Sequence, residues 1–150
     1  MKLAEALQER ADLAVRIEQL RVRTINNVLV QEGEKPAEEP YDLLAELERC
    51  VARSEELMTR INLTNASTVV EGECITALLA RRDCLRMKLS IWRDAVNTAS
   101  QMAHRATRTE IRICSTIDVS ALQKQIDDVS RQLRETDNRI QAANWLNDLI

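Results

Sequence analysis

From Leu122 onward one row of residues returns at alternating four- and three-residue steps: Leu122, Ile126, Val129, Leu133, Thr136, Ile140 and Ala143. That spacing holds one stripe of a helix against a neighbour, and it constrains the fold more than any other feature. Only two glycines and two prolines interrupt 150 residues, so turns are scarce and long helices are favoured over a many-stranded sheet. With no Phe, two Trp and one Tyr, the interior must be filled by Leu, Ile, Val and Ala. A single domain of this length buries about 68–70% of its unfolded surface, enough to hold without disulfides.

The predicted fold is mainly α: long antiparallel helices in a four-helix bundle or coiled-coil arrangement, with a small two-stranded β element. Helix one runs from about Leu3 to Val30, with Leu3, Leu13, Ile17, Leu20 and Val28 on its apolar side. Leu7, Ala14, Ile25 and Leu29 widen that side. Gly33, Pro36 and Pro40 stop it, Gly33 by supplying a left-handed residue.

Pro40 suits the first position of helix two, which extends to about Arg60 and buries Leu43, Leu44, Leu47, Val51, Leu57, Met58 and Ile61. Asn62, Thr64 and Asn65 then read as a polar turn, with a ligand contact as the alternative. A strand at about 67–71, closed by a turn at Glu71-Gly72, is expected to pair with a second at about 110–117. In that second strand Ile111, Ile113 and Ile117 alternate with polar residues.

Thr76 is the expected N-cap of helix three, which reaches about Met102 along Leu78, Leu85, Leu89, Trp92, Val96, Ala99 and Ala103. Helix four spans about 119–147 and opens on Asp118 and the capping-box pattern Ser120-Ala121-Leu122-Gln123. Its solvated side carries Asp127, Arg131, Glu135 and Arg139.

Chemistry is harder to find. The one histidine, His104, follows Gln101 where a helical di-iron site needs Glu-x-x-His, so the chain lacks that ligand set. Cys50, Cys74, Cys84 and Cys114 are too far apart in sequence to form a zinc motif and read as reduced, mostly buried thiols. Two glycines cannot build a phosphate-binding loop. No catalytic residue, metal or cofactor is expected, and the chain is read as a non-enzyme.

The net charge of −3 conceals an asymmetry: residues 32–60 hold nine acids against four bases, and residues 61–118 eight bases against six acids. Arg81, Arg82, Arg108 and Arg112, with Arg86 and Arg105 nearby, are the anion-binding candidates. The competing reading pairs them with the acids of residues 32–60 or with Glu110. An acidic chain with almost no aromatic residues for stacking is a poor fit to nucleic acid. Trp92, Asn144 and Trp145 are the candidate packing or interface anchors. The start of the chain shows no apolar leader, and no stretch reaches the roughly 18 apolar residues a membrane helix needs, which points to a cytoplasmic protein. The expected partner is a second copy of the chain, rather than nucleic acid or membrane.

Several segments together carry a resemblance: residues 31–40 (QEGEKPAEEP), Arg60-Ile61-Asn62-Leu63-Thr64-Asn65, Leu79-Ala80-Arg81-Arg82-Asp83, Arg108-Thr109-Glu110-Ile111-Arg112, the start of helix four, and Ile140-Gln141-Ala142-Ala143-Asn144-Trp145. The chain resembles a family of small bacterial proteins of unknown function, some named septicolysin. The resemblance covers nearly the whole chain, although Leu63 stands where the family pattern has a basic residue. It implies no catalytic residues. The name implies a cytolysin, an activity that the mixed-sign polar faces of these helices do not support.

Overall fold

The computed structural model describes residues 1–105 and 113–150, with residues 102–105 described through their backbone only. Among the described residues the chain is mainly α, with four helices and one two-stranded antiparallel sheet. It divides into two compact units: Met1–Thr68 with Ala143–Ile150, and Val69–Ala142.

The first unit contains α1 (Leu3–Asn27) and α2 (Pro40–Ser67). Glu9 meets Arg53, Arg16 meets Glu46 and Arg23 meets Glu38, so the two helices run antiparallel. On these two helices Leu3, Ala6, Leu20, Leu43, Leu57 and Ile61 are the buried aliphatics. α1 stops three residues earlier than expected. Asn27 closes its end by donating to Arg23 O at 2.9 Å and accepting from Glu38 N at 3.0 Å. Gly33 is left-handed (φ 85°) but lies in the connection, in a turn closed by Glu34 N–H to Gln31 O at 3.0 Å. Pro40 is the first residue of α2, where its missing N–H costs nothing.

α2 continues seven residues beyond Arg60, so Asn62, Thr64 and Asn65 are helical and form no turn. The buried row Leu57, Ile61, Thr64 keeps its four-three rhythm through the polar stretch. Thr64 Oγ1 donates to Arg60 O at 2.8 Å and Ser67 Oγ to Leu63 O at 2.9 Å, so both hydroxyls are satisfied inside the helix. The last residues of the chain also belong to this unit. Leu3 N–H donates to Asn147 O at 3.0 Å and Leu149 N–H to Met1 O at 2.9 Å, while Ile150 N–H donates to Thr64 Oγ1 at 3.1 Å.

The second unit opens with a hairpin, β1 (Val69–Val70) and β2 (Glu73–Cys74), paired Val69 to Cys74 and Val70 to Glu73. Glu71 (φ 50°) and Gly72 (φ 90°) are both left-handed, the requirement of a two-residue turn that matches strand twist. Among the described residues the strand that β1 meets is thus its neighbour in sequence, and not the expected one at 110–117. Residues 110–112 lie outside the described residues, and 113–117 form no strand.

α3 (Ile75–Arg105) begins directly after β2, which puts Thr76 inside the helix instead of at its cap. α4 (Val119–Leu146) runs antiparallel to α3 in this unit: Arg86 lies 3.4 Å from Asp137, and Arg93 donates to Ser130 at 3.4 Å. Their seam is Leu89, Ile126 and Val129, packed on by Leu85, Trp92, Val96, Leu122 and Leu133. Every member of the row Leu122 to Ala143 is buried or half-buried, as its spacing implied.

Asp118, not Ser120, caps α4: its Oδ1 accepts from Ala121 N at 3.0 Å. Asp118→Ala is accordingly expected to cost about 1 kcal/mol of stability in urea unfolding, and Ser120→Ala far less.

Candidate interaction surface

Of the arginines singled out in the sequence, Arg81, Arg82 and Arg86 are occupied by their neighbours. Arg81 holds Glu73 with both terminal nitrogens, one at 2.7 Å, and Arg82 holds Asp83 at 2.9 Å. Arg86 faces Asp137. The partners of all three are thus acids of their own unit, and not the acids of residues 32–60 that the competing reading named, of which Glu38, Glu46 and Glu56 meet arginines of α1 and α2. Arg108, Arg112 and Glu110 lie outside the described residues, and Arg105 is described by backbone alone. The structure thus brings together no cluster of the four candidate arginines among the described residues.

Arg139 was expected on a solvated face and instead pins the hairpin. Its side chain is only 25% exposed, donates to Val70 O at 3.1 Å, and places Nε 2.9 Å from Glu71 Oε2, near but out of hydrogen-bonding alignment. Glu73 lies 3.6 Å from its Nη1. The sequence signal for this contact was absent, since an i+4 charge ladder looks the same whichever member turns inward.

The same ion pairs shift the carboxylates. Hydrogen bonds from Arg53 hold Glu9 and Glu56 below the usual range, Arg23 does so for Glu38, and Arg81 for Glu73, each against the opposing effect of burial. A carboxylate depressed in the folded state stabilises the fold above its unfolded value and loses that contribution as pH falls through the lower, folded one. Melting temperature is therefore expected to hold near neutrality and fall once pH drops below about 4.3, the ordinary Glu value. Circular-dichroism melts across that range check it, and 1 M salt should flatten the dependence because these pairs are partly exposed.

Asn62 is exposed, Thr64 fully buried and Asn65 half-buried on α2, so the three do not converge on a ligand. Trp92 is half-buried in the α3–α4 seam with Lys88 Nζ 4.4 Å from its ring centroid, which makes it a packing residue. Asn144 is buried, whereas Trp145 is 63% exposed. The cysteines are free, but none is buried: Cys50 and Cys74 are half-buried, Cys84 and Cys114 exposed.

Several of the residues that stand out, Ala14, Ile25, Val28 and Leu29 near α1 and Leu44, Val51 and Met58 on α2, were assigned to the apolar side by sequence, whereas Ala11, Val15 and Val22 were not singled out. On α1 and just past its end, Val15, Val22, Ile25, Val28 and Leu29 are exposed, and Ala11 and Ala14 with them. On α2, Leu44, Val51 and Met58 are between 43% and 49% exposed. A groove of about 330 Å³ bordered by Val51, Met58 and Ile17 lies beside this second row. Val15, Val22 and Leu29 recur every seven residues, as do Leu44, Val51 and Met58. What had looked like one broad apolar side of α1 is two faces, one turned inward through Leu3, Leu20 and Thr24, the other to solvent. The heptad interval was the available clue, since widening a single face does not require it.

The fold and this surface define a mainly helical protein with an ion-paired exterior and aliphatic rows left open. The chain belongs to the family of unknown function DUF6847, whose profile matches residues 10–149. A crystal structure of a functionally unknown conserved protein from Corynebacterium diphtheriae is 34% identical and superimposes with a TM-score of 0.94, over 100% of this chain and 99% of that one. No curated protein matches the chain.

Proposed function

We propose that this protein acts by association with copies of itself, as a non-enzymatic helical protein whose working surface is the outer side of the α1–α2 hairpin. The observation that carries the reading is the exposed heptad row Leu44-Val51-Met58 on α2, together with the exposed Val15 and Val22, seven residues apart on α1. A seven-residue interval keeps a row aligned along a partner helix over several turns, and a solvated helix gains nothing from it. Such a row left in water gives up about 25 cal/mol for every Å² of apolar surface that a partner would cover.

Four free thiols, two of them exposed, suit a reducing compartment and support a cytoplasmic protein. The lytic activity implied by the septicolysin name is not part of this reading. No helix among the described residues is long and apolar enough to cross a membrane.

Light scattering over a concentration series tests the proposal. Mass should rise above that of one chain, and Val22→Lys with Val51→Glu should return it to one chain while the helical circular dichroism stays unchanged. A wild-type chain that remains strictly monomeric at high micromolar concentration would overturn the proposal.

A further inference from the structure

The outer face of α1 has an order that identifies its partner. Reading along it in three-four steps gives Ala11, Ala14, Glu18, Arg21, Ile25 and Val28, and all six are exposed. Val28 keeps helical backbone angles (φ −82°, ψ −11°), so the row does not break at the helix end. We infer that this row is one half of an antiparallel two-fold seam, in which α1 packs against α1 of a second copy about an axis between residues 19 and 20. The inference rests on the association reading above and adds its register.

The argument is complementarity layer by layer. In an antiparallel pairing of two such helices, successive seam positions of one meet the other's in reverse order. Ala11 then meets the partner's Val28, Ala14 meets the partner's Ile25, and Glu18 meets the partner's Arg21. The remaining three layers repeat these by symmetry. Each apolar layer sets a small side chain against a large branched one, the arrangement that fills space without a void. The two central layers set an acid against a base. Val15 borders the seam beside the partner's Val22 and extends its aliphatic edge.

A parallel, in-register pairing of the same faces would set Glu18 on Glu18, Arg21 on Arg21, and alanine on alanine. That combines like-charge repulsion with voids, so the row discriminates between the two directions. Within one chain Glu18 and Arg21 already bond to each other, Arg21 Nε to Glu18 Oε2 at 2.8 Å. Both side chains remain more than half exposed. An exposed pair one turn apart contributes little, so exchanging it for a pair across the seam is cheap.

Charge reversal in two separately purified chains tests the register. Glu18→Arg alone puts bases opposite bases at both central layers, and Arg21→Glu alone puts acids opposite acids. Each should weaken self-association by about tenfold or more, with helical content unchanged. Mixing the two variants places opposite charges at both layers and should restore a two-chain species, read by light scattering and by mass-tagged native mass spectrometry. If the wild type associates but both variants associate equally well, or if the mixture stays monomeric, the seam is overturned and the association reading survives elsewhere on the surface. If the wild type itself is a monomer, both fall.

Discussion

Leu57→Ala is expected to lower the unfolding free energy by about 3–5 kcal/mol, in the upper part of the range for such truncations. Leu57 is fully buried in α2, and so are its neighbours on the same stripe, Ile61 one turn on and Thr64 beyond it. Leu3 and Leu20 on α1 are equally inaccessible. Side chains already packed at that density have nowhere to move, so the space left by three carbon atoms stays open and adds its own penalty to the lost transfer energy. Urea unfolding followed by circular dichroism should show a lower midpoint at an unchanged slope. A loss below about 1 kcal/mol would mean that this interior collapses freely, contrary to its burial.

Leu89→Ala in the second unit should cost less, about 2–3 kcal/mol. The chemistry is identical, but the surroundings differ. Leu89 packs with Ile126 and Val129, and the shell around them, Leu85, Trp92, Val96, Leu122 and Leu133, is only partly buried. Half-exposed side chains can rotate into the vacancy, and Trp92, stacked under Lys88, is the largest of them. The contrast between the two variants, measured under the same conditions, is the informative quantity. Equal losses would imply that the α3–α4 seam is as tightly set as the interior of the first unit.

Much of the architecture was legible because it is encoded locally. The row Leu122 to Ala143 was assigned to one buried face by spacing alone, and the structure buries or half-buries every member. Pro40 at the start of α2 and the Glu71-Gly72 turn followed from the backbone preferences of those residues. Where local rules had two outcomes, the reading went astray. Asn62, Thr64 and Asn65 favour turns in short segments, yet the buried row of α2 carried the helix through them. Val69 and Val70 were recognised as strand residues, but alternation says nothing about which strand they meet, and the two-residue turn supplied the nearer one.

The interaction surface shows the same division. Ile25 and Leu29 were recognised as apolar and placed in the core, because hydrophobicity reports what a side chain prefers and not whether a neighbour covers it. Arg81 and Arg82 were candidates for a ligand until Glu73 and Asp83 were found against them. The amino-acid sequence by itself determined the mainly α fold, the helix count and the buried stripe of α4, since these depend on residues a few positions apart. Only the tertiary structure decided which aliphatic rows stay open and which acid each arginine holds. Those outcomes depend on side chains brought together from distant parts of the chain, and packing selects among partners that sequence alone leaves equivalent.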